Sequence, residues 1–195
     1  FGIGTDAIEF LKNGAYYYGI ELSDKSFDIT KARINLFNYN NKSKLINDEA
    51  ENLNKYFNSN SNLDLIYSFG VLHHSSSLKK CLKTIRSIMN KKTICKIMLY
   101  AKNSYKYFLM KDNLIRYEAQ KGVPVIDFYN IDDLNQLFKK FKILEIKQDF
   151  IFPYKIKPYK RNKYYKIDHF KYMKKDIFNS LKKNLGEHLL ITLKK

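Results

Sequence analysis

Three groups of residues in this 195-residue sequence have types and spacing suited to chemistry. The first is Gly2-Ile3-Gly4, which leads into Thr5-Asp6-Ala7-Ile8-Glu9-Phe10-Leu11. Glycines in such a turn let a ligand approach the backbone closely, and the helix that follows offers free N–H groups. A tight turn that binds nothing accounts for the pair equally well. The second is Gly19-Ile20-Glu21-Leu22-Ser23, in which Glu21 ends an apolar run. A carboxylate at the C-terminal end of a strand can accept both hydroxyls of a ribose; the alternative is a solvated strand-end acid. The third is the run from Asp64 to His74, an apolar strand followed by Phe69-Gly70-Val71-Leu72 and two adjacent histidines. Adjacent side chains point apart, so His73 and His74 do not by themselves hold a zinc ion, and no metal site is expected. One imidazole facing a cleft could serve as general base or hydrogen-bond donor while the other packs or faces solvent.

The elements that must position these groups alternate along the chain. A short helix from Thr5 ends at Asn13-Gly14, with glycine as the stop signal. Tyr16 to Leu22 reads as a strand and Asp24 to Phe37 as a helix, followed by a polar loop to Lys44 and a short strand at Leu45-Ile46. Leu63 to Ser68 is a further strand. Ser77 to Met89 is a helix with Leu78, Leu82, Ile85 and Ile88/Met89 at helical spacing, and Ile94 to Tyr100 is an apolar strand of the kind buried in a parallel sheet. Strand and helix in turn predict a doubly wound α/β domain. Beyond it, Asn130 caps a helix through Lys140, Phe141 to Gln148 alternates as a strand, and His188 to Leu193 is the last strand. A glycine turn opening a helix normally follows a buried strand, so the expectation is that the first strand of the sheet is missing from this chain.

Composition bounds the classes. One hundred and ninety-five residues make one domain with enough chain for a core, and 45% apolar with 15% aromatic residues argue against disorder. No apolar run approaches the ~20 residues of a membrane-spanning helix. No basic flank with an apolar stretch marks a leader, and Cys81 and Cys95, both in apolar patterns, read as buried thiols of a reducing cytoplasm. The net charge is +17, from 36 Lys and Arg against 19 Asp and Glu. That surplus suits an anionic partner, nucleic acid or a membrane surface. A coding bias that enriches Lys, Asn, Ile, Tyr and Phe together produces the same surplus with no partner, and no consecutive basic block forms an arm.

In their order, the three groups resemble the class I S-adenosylmethionine-dependent methyltransferases, specifically the small-molecule, type 11-like members with a Leu-His-His turn. Gly2 and Gly4 match the last two glycines of the family's Gly-x-Gly-x-Gly turn, with Thr5-Asp6 as its continuation. Gly19 to Ser23 matches the ribose motif, and Thr30-Lys31-Ala32-Arg33 continues its helix. Asp48-Glu49-Ala50-Glu51-Asn52-Leu53 resembles the acidic segment that contacts adenine, with Asp48 and Glu49 competing for the role. Asp64 to His74 matches the fourth motif, Lys96 to Tyr100 the fifth strand, and His188 to Lys195 the final strand. The resemblance implies a Rossmann-like sheet of seven strands whose last pair is antiparallel, with S-adenosyl-L-methionine lying over the strand ends. It implies contacts to the cofactor from Gly2, Gly4, Thr5, Asp6, Glu21, Leu22, Asp48, Glu49, Ala50, Phe69 and Gly70, and offers His73 and His74 as the catalytic candidates. Nothing in the chain resembles the Asn-Pro-Pro-Tyr turn of many base-modifying methyltransferases.

Substrate in such a fold is set by insertions. Residues 101–125 read as a lid-like insertion over the cleft, and residues 149–186 as a second one, crowded with Tyr, Phe and Lys. The expected function is cytoplasmic methyl transfer to a small-molecule or lipid- or sugar-linked acceptor. The alternatives are a nucleic-acid-binding protein or RNA methyltransferase that uses the basic aromatic insertion, or a non-catalytic fragment.

Overall fold

The computed structural model describes residues 1–111 and 127–195, so the latter part of the expected lid lies outside the described residues. Among the described residues, seven strands and eight α-helices follow one another much as the hydropathy pattern dictates. The helix α1 (Thr5–Lys12) leads to strand β1 (Tyr17–Glu21), helix α2 (Asp24–Leu36) and strand β2 (Ser43–Asn47). Strand β3 (Leu65–Phe69), helix α3 (Leu78–Ile88) and strand β4 (Ile94–Ala101) complete the alternating part. Helix α4 (Tyr105–Lys111), the two-residue strand β5 (Phe128–Tyr129) and helix α5 (Ile131–Leu137) come next. The antiparallel pair β6 (Lys142–Asp149) and β7 (His188–Lys194) flanks three short helices, α6 (Ile156–Tyr159), α7 (Asp168–Lys171) and α8 (Lys175–Leu185).

Two boundaries differ from expectation. The polar loop before β2 ends two residues sooner, because Ser43 and Lys44 pair in register with Tyr17 and Tyr18. Helix α5 stops at Leu137 rather than Lys140, since Phe138 turns into the core and is fully buried there.

The single seven-stranded sheet is the larger correction. The strands form two sheets: β1 pairs with β2 in parallel, and β3-β4-β7-β6 form the main sheet with β5 added beside the end of β4. The main sheet keeps the expected antiparallel pair, β6 with β7. The break falls between β1 and β3, and the described residues supply no strand there. Aromatic rings bridge it instead. Phe10 of α1 meets Tyr67 of β3 edge-on at 5.3 Å, and the Tyr67 hydroxyl donates to Asp6 Oδ2 at 3.1 Å. Tyr18 of β1 meets Phe57 at 5.4 Å.

The core divides in the same way. Among the described residues, fifteen buried side chains of α3, α5, the main sheet and their flanking turns make one cluster, among them Leu82, Ile85, Ile97, Leu99, Phe138 and Ile191. Only Ile8, Leu11 and Ile34 make the other, with Tyr17, Tyr39 and Leu45 packed on it. At about 1.5–3 kcal/mol per buried aliphatic side chain, three residues do not offset the ordering of α1, β1, α2 and β2. The small unit therefore depends on its bonds to the large one.

Glu51 links the segment after β2 to the large unit. Its side chain is 6% exposed, and Oε1 accepts from Ser76 Oγ at 2.7 Å and the Ser77 amide at 3.1 Å, while Lys80 Nζ lies 3.0 Å from Oε2. The bonds from Ser76 and Lys80 hold its carboxyl below the ordinary range against the opposing effect of burial. Glu51→Ala removes the acceptor of two donors at the start of α3 and is expected to cost about 1–3 kcal/mol. Thermal unfolding checks this as a fall in Tm of roughly 2–4 °C per kcal/mol. An unchanged Tm would assign these bonds no stabilising role. The two cysteines are free and buried as expected, with burial pushing the Cys95 thiol up to about 12. Among the described residues no helix is long and apolar enough to cross a membrane.

Candidate active site

The glycine turn adopts the backbone that its residues alone allow: Gly2 and Gly4 have φ of +58° and +77°, in the left-handed region. Gly4 is the N-cap of α1 and sits hard against α2, where Thr30, fully buried, donates its hydroxyl to the Gly2 carbonyl at 3.0 Å. Arg33 adds a bond to the Ile3 carbonyl at 2.8 Å. The expected helix continuation Thr30 to Arg33 is thus what clamps the turn.

Glu21 comes to the same place from the end of β1. Its Oε2 accepts from the Gly2 amide at 2.8 Å and from the amino group of Phe1 at 3.0 Å, and its Oε1 accepts from the Ser23 amide at 3.0 Å. Burial alone would raise its pKa. The bonds from Ser23, the Phe1 amino group and Gly2 outweigh it and hold the carboxyl below its ordinary value. Gly2 and Glu21, both expected to touch the cofactor, are therefore bonded to each other. Thr5 and Asp6 follow on the exposed first turn of α1, and Leu22, 65% exposed, lies open beside Glu21.

Asp48 and Glu49 separate clearly. Both oxygens of Asp48 are used locally: Oδ1 accepts from the Glu49 amide and Asn52 Nδ2, each at 2.7 Å, and Oδ2 from the Tyr56 hydroxyl at 2.7 Å. The Asn52 and Tyr56 bonds lower its pKa to about 2. Asp48 thus ties down the 3-10 turn Ala50–Lys55, and Glu49 is the exposed carboxylate at its entrance. At the end of β3, Phe69 is 44% exposed and Gly70 turns the chain with φ of +74°.

The next part of the strand edge holds a cluster of rings and buried charges. Because β7 runs antiparallel to β4, its first residue lies beside the last residues of β4, and His188 pairs in register with Tyr100. The His188 ring stacks on Phe150 at 4.5 Å and meets Phe69 edge-on at 5.4 Å. The Tyr100 ring lies 4.0 Å from that of His73 and carries Lys106 Nζ 3.9 Å from its centroid. Lys106 is 2% exposed, and burial pulls its ammonium down to about 8 against the opposing carboxylate of Glu187. Burial, with His74 and Lys106 adding to it, pushes His73 down to about 3; burial and Lys106 push His188 down to about 4. Glu187 is 3% exposed; burial raises its pKa, and among the described residues only its Oε1 is bonded, to the Phe152 amide at 2.9 Å. Among the described residues, neither ring nitrogen of His73 has a partner at full hydrogen-bonding geometry. Of the two histidines singled out in the sequence, His73 is the one that packs, fully buried, and His74 is half-buried beside it.

The profile of a family described as a methyltransferase domain matches residues 2–142. The chain belongs to that family. It is a class I methyltransferase, for which S-adenosylmethionine is the methyl donor. No curated protein matches the chain. Solved structures do. An S-adenosylmethionine-dependent methyltransferase of Thermotoga maritima, described as a possible histamine N-methyltransferase, superposes with a TM-score of 0.63 at 16% identity, covering 100% of this chain and 78% of that one. Geranyl diphosphate C-methyltransferase from Streptomyces coelicolor gives 0.63 at 10% identity, covering 99% of this chain and 67% of its own. The [4+2]-cyclase SpnF gives 0.65 at 11%, covering 100% and 72%. At such identities the likeness is one of fold.

The donor set of this methyltransferase fits its cofactor. The left-handed glycine turn leaves open space beside Gly2, and a Cβ at Gly70 would meet nothing closer than Met98 Cε at 3.8 Å. Glu21 Oε1 accepts one bond where a carboxylate oxygen can take two. Lys106, Glu187 and His188 escaped the sequence reading. The signal for the last two was an acid-histidine pair at the start of the final strand, meaningful only once that strand is known to be antiparallel.

Proposed function

We propose that this methyltransferase acts on a small-molecule or lipid- or sugar-linked acceptor. The donor lies along Gly2, Gly4, Thr5 and Asp6, Glu21 and Leu22, the Asp48–Ala50 segment and Phe69-Gly70. The acceptor lies on the side of Tyr100 and His188. The observation that supports this placement of the donor is the bond from the Gly2 amide to Glu21 Oε2, which brings the glycine turn and the strand-end carboxylate together.

S-adenosylmethionine supplies an already electrophilic methyl group, so the chain has to align a nucleophile and exclude water. The half-exposed rings of Phe69 and Phe150, both packed against His188, supply an apolar wall for that purpose. An O–H or N–H acceptor must also lose its proton. His73, with a pKa near 3, is a weak base at neutral pH and acts by packing against Tyr100. Lys106, poised near 8 over the same ring, is better matched to hold that proton.

Incubation with methyl-labelled S-adenosylmethionine tests the reading. Supplied with phenols, amines, carboxylates, lipid-linked sugars and RNA, the protein is expected to label a small-molecule or lipid fraction. Label confined to RNA would contradict it.

A further inference from the structure

The second insertion carries a feature that methyl transfer does not use. Residues 149–186 hold eleven Lys and Arg against three Asp and Glu, so a fifth of the chain supplies +8 of the net +17. The remaining residues hold 25 basic against 16 acidic side chains. A coding bias would spread the excess evenly, and it is not even.

Within the insertion the charge gathers on one closed loop. The Ile167 amide bonds to the Pro153 carbonyl at 2.9 Å, the Lys155 amide to the Tyr165 carbonyl at 2.8 Å, and Tyr154 and Lys166 form an antiparallel bridge between them. The chain leaves through α6, reverses at Asn162 with φ of +58°, and returns. Between those ties lie Lys155, Lys157, Lys160, Arg161, Lys163 and Lys166, with no acidic residue, and residues 159–166 are all exposed. Lys155 pairs with Asp168; Lys157, Arg161, Lys163 and Lys166 have no carboxylate at salt-bridge distance among the described residues.

The aromatic residues of the loop show what kind of anion it fits. Tyr159 meets Phe152 edge-on at 4.8 Å and Tyr164 at 5.6 Å, and Tyr154 packs against both tyrosines. Tyr154, Tyr159 and Tyr164 pack on one another, while Tyr164 and Tyr165 stay 62% and 59% exposed, so rings as well as charges face outward. Six basic residues include a single arginine, the side chain that stacks and grips phosphate bidentately; lysine is a point charge that answers a diffuse surface potential. Tyrosines among lysines also suit the headgroup layer, where rings sit at the interface and long stems reach the charges. The loop is rooted beside the cleft, through Phe150 on His188 and the Phe152 amide on Glu187.

We propose that the Pro153–Ile167 loop docks the protein on an anionic lipid bilayer. Each lysine or arginine near such a surface contributes about a fivefold increase in partitioning. The test is co-sedimentation of the full chain with vesicles of phosphatidylcholine alone and of phosphatidylcholine with phosphatidylglycerol. It needs no cofactor or acceptor, so its outcome is independent of the methyl-transfer reading. The expected result is binding to the phosphatidylglycerol vesicles only, lost at high salt, and weakened about a hundredfold or more in Lys157→Gln/Arg161→Gln/Lys163→Gln/Lys166→Gln. Unchanged circular dichroism shows that the variant is folded, and the salt dependence of the parent stands without the variant. No binding to phosphatidylglycerol vesicles, or equal binding to pure phosphatidylcholine, overturns the proposal. Tighter binding of an oligouridylate that displaces the vesicles at the same salt overturns it too, and assigns the loop to nucleic acid.

Discussion

Acidification from pH 6.5 towards 4 is expected to unfold the protein before its carboxylates are protonated. His73 and His188 are held near 3 and 4, against 6.5 for an exposed imidazole, chiefly by burial. A folded pKa below the unfolded one means that the unfolded chain takes up the proton first. Their contribution to stability is complete above the unfolded pKa, and it is lost as the pH falls from there towards the folded values. Each group costs about 1.4 kcal/mol per pH unit in that window. Two such groups remove several kcal/mol by pH 4, a large part of the ~5–15 kcal/mol that a domain has. Among the described residues the His73 ring has no partner at full hydrogen-bonding geometry, so His73→Leu forfeits no such bond, and His188→Phe keeps the stack on Phe150. The double variant should stay folded down to the carboxylate range, below about pH 4.5. The general self-repulsion of a +17 chain acts on both proteins, so the difference between them isolates the histidines. Circular dichroism against pH, with coincident curves for parent and double variant, would contradict this.

Gly4→Ala should be among the most damaging substitutions of one methyl group in this chain. At φ of +77° a side chain costs about 1–2 kcal/mol. The new Cβ would also lie 2.6 Å from Thr30 Cγ2 and 2.7 Å from its Oγ1, an overlap that can be relieved only by moving α1 from α2 at about 1–3 kcal/mol. That movement breaks the Thr30 bond to the Gly2 carbonyl and so draws Gly2 from Glu21. The expected loss is about 2–5 kcal/mol together with weaker cofactor binding. At Gly2 a Cβ meets nothing within 4 Å, so Gly2→Ala bears the backbone cost alone. Denaturant unfolding should rank the two in that order, and Gly4→Ala/Thr30→Ala should recover part of the loss. Equal stabilities for the two single variants would show that the packing of Gly4 on Thr30 carries no weight.

What was legible in the sequence was local. Amphipathic spacing placed α3, apolar runs placed β3 and β4, and glycines beside a strand-end acid marked Gly2, Gly4 and Glu21, because each of these depends on neighbours within a few residues. Long-range pairing was not legible. The division into two sheets depends on what lies between β1 and β3, and the distinction between Asp48 and Glu49 depends on Asn52 and Tyr56 turning back to Asp48. Lys106 resembles any surface lysine until α4 lays it on Tyr100. Glu187 and His188 reach the cleft only because the last strand runs backwards. The charge surplus was visible from composition, but its concentration on a closed loop follows from the backbone ties of Pro153, Lys155, Tyr165 and Ile167.

The central claim is that the glycine turn and Glu21 form one cofactor site. Calorimetric titration of S-adenosylhomocysteine into the protein and into Glu21→Ala, both shown to be folded by circular dichroism, tests it most directly. The account predicts one site in the parent and an affinity at least about tenfold lower in the variant, the loss of a charge-assisted hydrogen bond to a ligand hydroxyl being worth about 1.5–3 kcal/mol. Binding of equal strength in the two proteins would contradict the role of Glu21, and a folded parent that binds nothing would contradict the site itself.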